Sequence, residues 1–251
     1  MLLSTKLQEK EKTATLHRKM ATVLWDKIGD TKKANEHHEA ALKILEAEPE
    51  SVELARLYED IAHMLRRKGE AAKAPAWAEK ALALAEKLGA TEAVAISCIE
   101  LSICFGVFGN FKKYKEYANR ALKIALDNNY LETALWAYAR LTDWVEPEEY
   151  EKCLEYIEKG LALAKKVGDI RFQSDFLEGQ AWIDMQMGKL GKVVTLLEEA
   201  IRLRKKAGYM TFLPLGLIGF GLPIKCLGNG TRVSSTTTKQ QSLHETKTKS
   251  T

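Results

Sequence analysis

The side chains best equipped for chemistry in this sequence are its four cysteines, its five histidines and its many carboxylates. Their spacing matches no reaction centre. Cys98, Cys104, Cys153 and Cys226 never fall at CxxC spacing, and each lies inside a helical pattern. They read as buried, reduced thiols rather than a redox or metal pair. His37 and His38 are adjacent, so on a helix they point about 100° apart and cannot chelate a metal as an i, i+4 pair does. Glu46, Glu48, Glu50 and Glu53 form a charged run of the kind that faces solvent. A general acid and base would instead have to converge on one atom. No nucleophile elbow and no GxxxxGK[ST] phosphate loop occurs, and Gly216, Gly219 and Gly221 do not complete GxGxxG. The sequence therefore predicts a non-enzymatic chain without metal or cofactor.

The elements that carry these residues repeat. GEAAKAPAWAEKALALAEKLG from Gly69 has counterparts beginning at Gly29, Gly109, Glu148 and Gly188, a period of forty residues with one step of thirty-nine. Small or compact residues recur at fixed offsets from the turn. Twelve positions after it stand Ala41, Ala81, Ala121, Gly160 and Ala200; five after it stand Ala34, Ala74, Tyr114, Cys153 and Val193. Seven before it stand Thr22, Ala62, Ser102, Leu141 and Ala181. Small side chains let helices cross closely. The turn glycine suits a left-handed helix terminus, and Asp30, Glu70 or Asn110 after it can cap the next helix. Each unit is thus helix, turn, helix, and a period of this length marks a stacked-repeat protein.

The residues place a polar lead-in at 1–12, then repeats at about 13–50, 51–90, 91–130, 131–169 and 170–210. Thr91 is expected to cap unit three, and Pro147 to start the second helix of unit four after a first helix reaching Val145. Eighteen uncharged residues from Ala207 to Ile224 read as part of a sixth first helix at 211–227, interrupted by Pro214 and Pro223, rather than a membrane span. The segment 228–251 is rich in Ser, Thr, Lys and Gln and reads as a disordered tail. No segment alternates at strand length, so no sheet is expected.

The turn glycines, the small residues and bulky Trp25, Leu65, Phe105 and Trp144 four positions before the turn resemble the tetratricopeptide repeat (TPR) family over about Thr13–Gly208. The unit is longer than that family's usual 34 residues, and only Pro49 stands near its closing proline. Long units of this kind look like the regulatory arrays beside signalling ATPases, cyclases and transcription activators. The resemblance implies an all-α, right-handed solenoid of five antiparallel hairpins plus a sixth first helix. It also implies that first helices line a concave face, which puts Lys19, Val23, Lys27, Arg56, His63, Arg66, Arg67, Ile103, Val107, Tyr138 and Trp182 on a partner-binding groove, joined by Glu59, Ile99, Thr142, Glu178 and Gln186. Such a groove would be basic at its N-terminal end and would suit an acidic or amphipathic peptide. Two functions follow: a protein-interaction scaffold, or a regulatory sensor module of a larger signalling protein.

Of the net charge of +4, the segment from Gly228 contributes four basic residues against Glu245, leaving the repeats almost neutral. A neutral body gives no electrostatic case for nucleic acid. The N-terminus lacks the apolar core of a signal peptide, so a cytoplasmic protein is expected. The apolar residues of 211–227 predict self-association through that end.

Overall fold

The computed structural model describes residues 2–208, with side chains from Leu7 onward. The expected sixth helix at 211–227, the tail at 228–251 and Cys226 lie outside the described residues.

Ten α-helices and no strand occur among the described residues. They are α1 Leu2–Val23, α2 Thr31–Leu45, α3 Val52–Arg67, α4 Ala74–Lys87, α5 Thr91–Val107, α6 Phe111–Asp127, α7 Leu131–Leu141, α8 Tyr150–Val167, α9 Ile170–Gln186 and α10 Val193–Ala207. Each odd-numbered helix packs antiparallel on the even-numbered one that follows, and also touches the next odd-numbered helix. The result is an all-α solenoid of helical hairpins. Its turns are built as the residues require. Gly69 at φ +91° and Gly109 at φ +72° close α3 and α5 in the left-handed region, where a side chain would be strained. Asp30, Ser51, Asn110 and Asp169 each accept a backbone N–H three residues on, satisfying a donor the helix leaves open.

The small residues sit where the hairpins cross. Ala34, Ala41, Ala74, Ala81, Ala121 and Ala200 are wholly inaccessible, as is Tyr114, the one large member of the set. At Gly160 an added methyl would overlap the Phe176 ring. α5 is the centre of the array: it is buried nearly all round and carries Cys98, Leu101, Ser102 and Cys104 into the core. Outer-edge ion pairs cross between units, Lys115 to Glu149 and Arg120 to Glu86 among them.

Three local expectations change. α1 does not run regularly to its glycine but ends in a π-helical turn, Leu24–Ile28, which adds a residue to the helix. In consequence Ala14 and Ala21 are buried, one residue ahead of the positions the forty-residue period assigns, and Thr22 is exposed. α7 stops at Leu141 rather than Val145, because Pro147 holds Glu146 extended and Trp144 turns into the left-handed region at φ +44° to lay its ring over Gly106 and Tyr114. Thr91 does not cap α5; its hydroxyl bonds the Tyr130 hydroxyl at 2.6 Å instead.

Candidate functional site

α1, α3, α5 and α7 present their unpaired faces to one side, and there they enclose a groove of about 970 Å³. α5 supplies an apolar floor of Ile96, Ile99 and Ile103, which α7 extends with the half-buried Trp136. Thr22 and Asp26 close one end, from α1 and its π-helical turn. Asn129, Tyr130 and Leu131 close the other, from the turn into α7. α5 also brings Glu92 and Glu100 to the groove, each paired with an arginine of α3, and α3 lines its own stretch with Glu59, Asp60, His63, Arg66 and Arg67.

Of the residues assigned to the groove from sequence, the structure brings His63, Arg66, Arg67 and Ile103 together on it, with Glu59 and Ile99. Lys19, Val23 and Lys27 point elsewhere. The π-helical turn rotates α1 by one residue, so Arg18, Thr22 and Asp26 occupy the faces expected of those three. Arg56 is half-buried on the shoulder of α3 and pairs with Glu92 at 3.3 Å. Val107 is 48% exposed beyond the groove's edge. Tyr138 is buried and faces Tyr156 of α8, inside the hairpin, while the groove position of that unit belongs to Trp136. Thr142 lies past the end of α7 and bonds its hydroxyl to the Ala139 carbonyl. Trp182 packs edge-on against Tyr150. Glu178 is buried beneath Arg204, whose Nη2 lies 2.7 Å from its carboxylate.

The basic N-terminal end is not there. Each arginine expected to supply it is held by a carboxylate. Arg66 makes two hydrogen bonds to Glu100, at 2.7 and 3.2 Å, and Arg67 reaches Asp26 at 2.7 Å. Arg18 bridges Glu53 and Asp60 at 2.6 and 2.8 Å. Burial would raise the Glu100 carboxyl, but hydrogen bonds from His63 and Arg66 overcome it and hold the group below its usual range. Glu59 is in the opposite state: burial, reinforced by the Asp60 and Glu100 charges, pushes it well above the carboxylate range. At the far end Arg140 pairs with Asp143 at 2.9 Å.

The residues with reactive side chains stand apart from the groove. Cys98, Cys104 and Cys153 are buried free thiols, pushed by burial up to about 11, about 12 and about 12, which leaves no thiolate at neutral pH. His37 faces His17 across α1 and α2, Nδ1 to Nδ1 at 2.7 Å, so one ring donates and the other accepts. His38, its neighbour, turns into the core, where burial lowers its basicity. Among the described residues no three His, Cys, Asp or Glu side chains could hold a metal ion, and no helix is long and apolar enough to cross a membrane.

No family's sequence profile matches this chain, and no curated protein is similar to it in sequence. Solved structures are similar in fold. BtubC from P. vanneervenii superimposes with a TM-score of 0.65 at 19% identity, over 85% of this chain and 95% of that one. Aspartyl phosphate phosphatase F from Bacillus subtilis gives 0.58 at 15% identity, over 82% of this chain and 63% of that one. A Podosopora anserina protein of nearly identical TPR-like repeats gives 0.54 at 16% identity, over 80% and 96%. At such identities the likeness shows a TPR-like helical-repeat fold and nothing finer.

Proposed function

We propose that this chain is a non-enzymatic protein-interaction module that holds a peptide segment of a partner in the groove of α1, α3, α5 and α7. The observation that carries the reading is the groove itself: an apolar floor of Ile96, Ile99 and Ile103 lying between charged walls. An open apolar floor of this kind is a binding surface rather than a core.

The test is a displayed random-peptide library selected on the full chain. Selected peptides should bind an Ile103→Asp variant at least about tenfold more weakly, a loss near 1.4 kcal/mol. They should bind a Lys123→Glu variant, altered on the outer face of α6, as they bind the parent. Circular dichroism of each variant checks that the helices persist. Peptides that ignore Ile103→Asp but are lost with Lys123→Glu would move the binding surface to the even-numbered helices.

A second reading, a regulatory module of a larger signalling protein, is favoured by the forty-residue unit and by the likeness to aspartyl phosphate phosphatase F. Sequence flanking the reading frame decides it: an adjoining nucleotide-binding, cyclase or DNA-binding motif supports a regulatory module.

A further inference from the structure

The charges around the groove are not balanced in kind. Arg66, Arg67 and Arg140 are the arginines that line it, and each is already ion-paired, to Glu100, Asp26 and Asp143. The carboxylates exceed them. Arg18 is committed to Glu53 and Asp60, and Arg56 to Glu92. That leaves Glu59 on α3 and Glu132 on α7 with no cation of their own among the described residues, one on each side of the α5 floor. An acidic ligand entering here meets arginines that are already paired, with Arg171 stacked on the Trp136 ring at 4.6 Å, and two carboxyls outside any ion pair. A basic ligand meets two carboxyl acceptors, and at Glu59 it would relieve the repulsion from Asp60 and Glu100.

We infer that the groove selects an extended peptide in which two basic side chains flank two apolar ones, the basic residues reaching Glu59 and Glu132 and the apolar ones resting on Ile96, Ile99 and Ile103. The inference rests on the groove reading above and names its ligand class.

The spacing follows from the helices. Neighbouring helices pack about 8–10 Å apart, so α3 and α7, separated by α5, stand about 16–20 Å apart. An extended chain advances about 3.3 Å per residue and turns alternate side chains to one face. Positions one, three, five and seven therefore share a face and span about 20 Å. The matching pattern is basic-x-apolar-x-apolar-x-basic. Glu59 favours an ammonium or guanidinium for a second reason. Burial and the Asp60 and Glu100 charges push its carboxyl well above the usual range, and a cation seated against it offsets that repulsion and favours the carboxylate.

The probe is fluorescein-labelled Lys-Ser-Leu-Ser-Leu-Ser-Lys, measured by anisotropy against the full chain. Comparison peptides carry Glu, or Gln, at both ends. The Lys peptide should bind at least about tenfold more tightly than the Glu peptide, a difference near 1.4 kcal/mol. Raising salt to about 0.5 M should shrink the gap by screening. A Glu59→Gln/Glu132→Gln variant should close it while binding the Gln peptide as the parent does. If the Glu or Gln peptide binds as well as the Lys peptide, and Ile103→Asp abolishes all three, the basic preference is wrong and the groove reading stands. If the Lys peptide binds equally to parent and Ile103→Asp, both are wrong. If it shows no binding up to about 1 mM, where affinity is only about 4 kcal/mol, the preferred pattern is wrong.

Discussion

Two arginines adjacent in sequence, Arg66 and Arg67, show how much a side chain's surroundings decide. From sequence both read as surface charges whose reversal would cost within about 0.5 kcal/mol. The structure separates them. Glu100, 2% exposed, has Arg66 as its ion-pair partner, and Arg66 itself is mostly covered. Removing one member of such a pair leaves an uncompensated buried charge, which costs about 3–5 kcal/mol. Arg67 is half exposed opposite Asp26, where a surface pair contributes about 0–1 kcal/mol. Chemical denaturation should therefore show Arg66→Glu strongly destabilised and Arg67→Glu nearly unchanged. Equal midpoints for the two variants would contradict the buried pair. Glu178 supplies a pH dependence of definite sign. Burial outweighs the nearby Arg204 and pushes this carboxyl up to about 7, above its unfolded value near 4.5. The folded state then binds a proton that the unfolded state has lost, so this group's contribution is complete below about pH 4.5 and declines as pH rises through 7. Full loss is about 3 kcal/mol, at 1.36 kcal/mol per unit. Glu178→Gln should flatten the melting temperature between pH 5 and 8 relative to the parent. Glu100 acts in the other direction: its stabilising pair is present at neutral pH and is lost as pH falls through its depressed value.

At the scale of elements, the repeat spacing specified the hairpins because it is written in residues that pack: glycine where the backbone turns left-handed, alanine where helices cross. It could not specify the groove in unit one. Sequence spacing counts residues, while a helix face depends on residues per turn, and the π-helical turn Leu24–Ile28 changes that ratio without changing the count to the next glycine. A one-residue rotation turned Lys19 and Lys27 away and brought Arg18 and Asp26 in. The groove's charge differs from the expected one for that reason and because Arg66, Arg67 and Arg56 are each paired with a carboxylate. The burial pattern held a signal, since Ala14 and Ala21 precede Ala55 and Ala62 by one residue more than the period. Unit four was misread differently. Tyr138 stands two positions beyond Trp136, and on a helix that separation places them on opposite sides. Deleting Lys27 should convert the π-helical turn to regular α-helix without disturbing the buried Ala14 and Ala21. Far-ultraviolet circular dichroism should be unchanged and stability should move by less than about 1 kcal/mol, in the range of a surface change. A loss of several kcal/mol would show instead that the π-helical turn is required to seat α1 on α3.

The whole repeat array is a chain of neighbours, and stability in such an array is local. α5 touches helices on both sides and is buried nearly all round, so its amides should be among the slowest to exchange in the molecule. The groove draws its floor from this helix. Its two ends come from less covered segments: the π-helical turn, in which no residue is buried, and the turn Asn129–Leu131. A ligand lying in the groove would therefore join one rigid element to two looser ones. It would add little protection to α5, which is already protected, and much to the ends. Hydrogen exchange with and without the Lys-Ser-Leu-Ser-Leu-Ser-Lys peptide should show slowed exchange over residues 22–30 and 129–136, with α2, α4, α6, α8 and α10 unchanged. The outer helices serve as an internal control, because a peptide bound nonspecifically to surface carboxylates would protect them as well: Glu86, Glu149 and Glu151 all stand there. Protection confined to those helices would place the contact on the opposite face of the solenoid. Protection at both groove ends, absent in Ile103→Asp, would mean that a single ligand spans from α1 to α7 across the α5 floor.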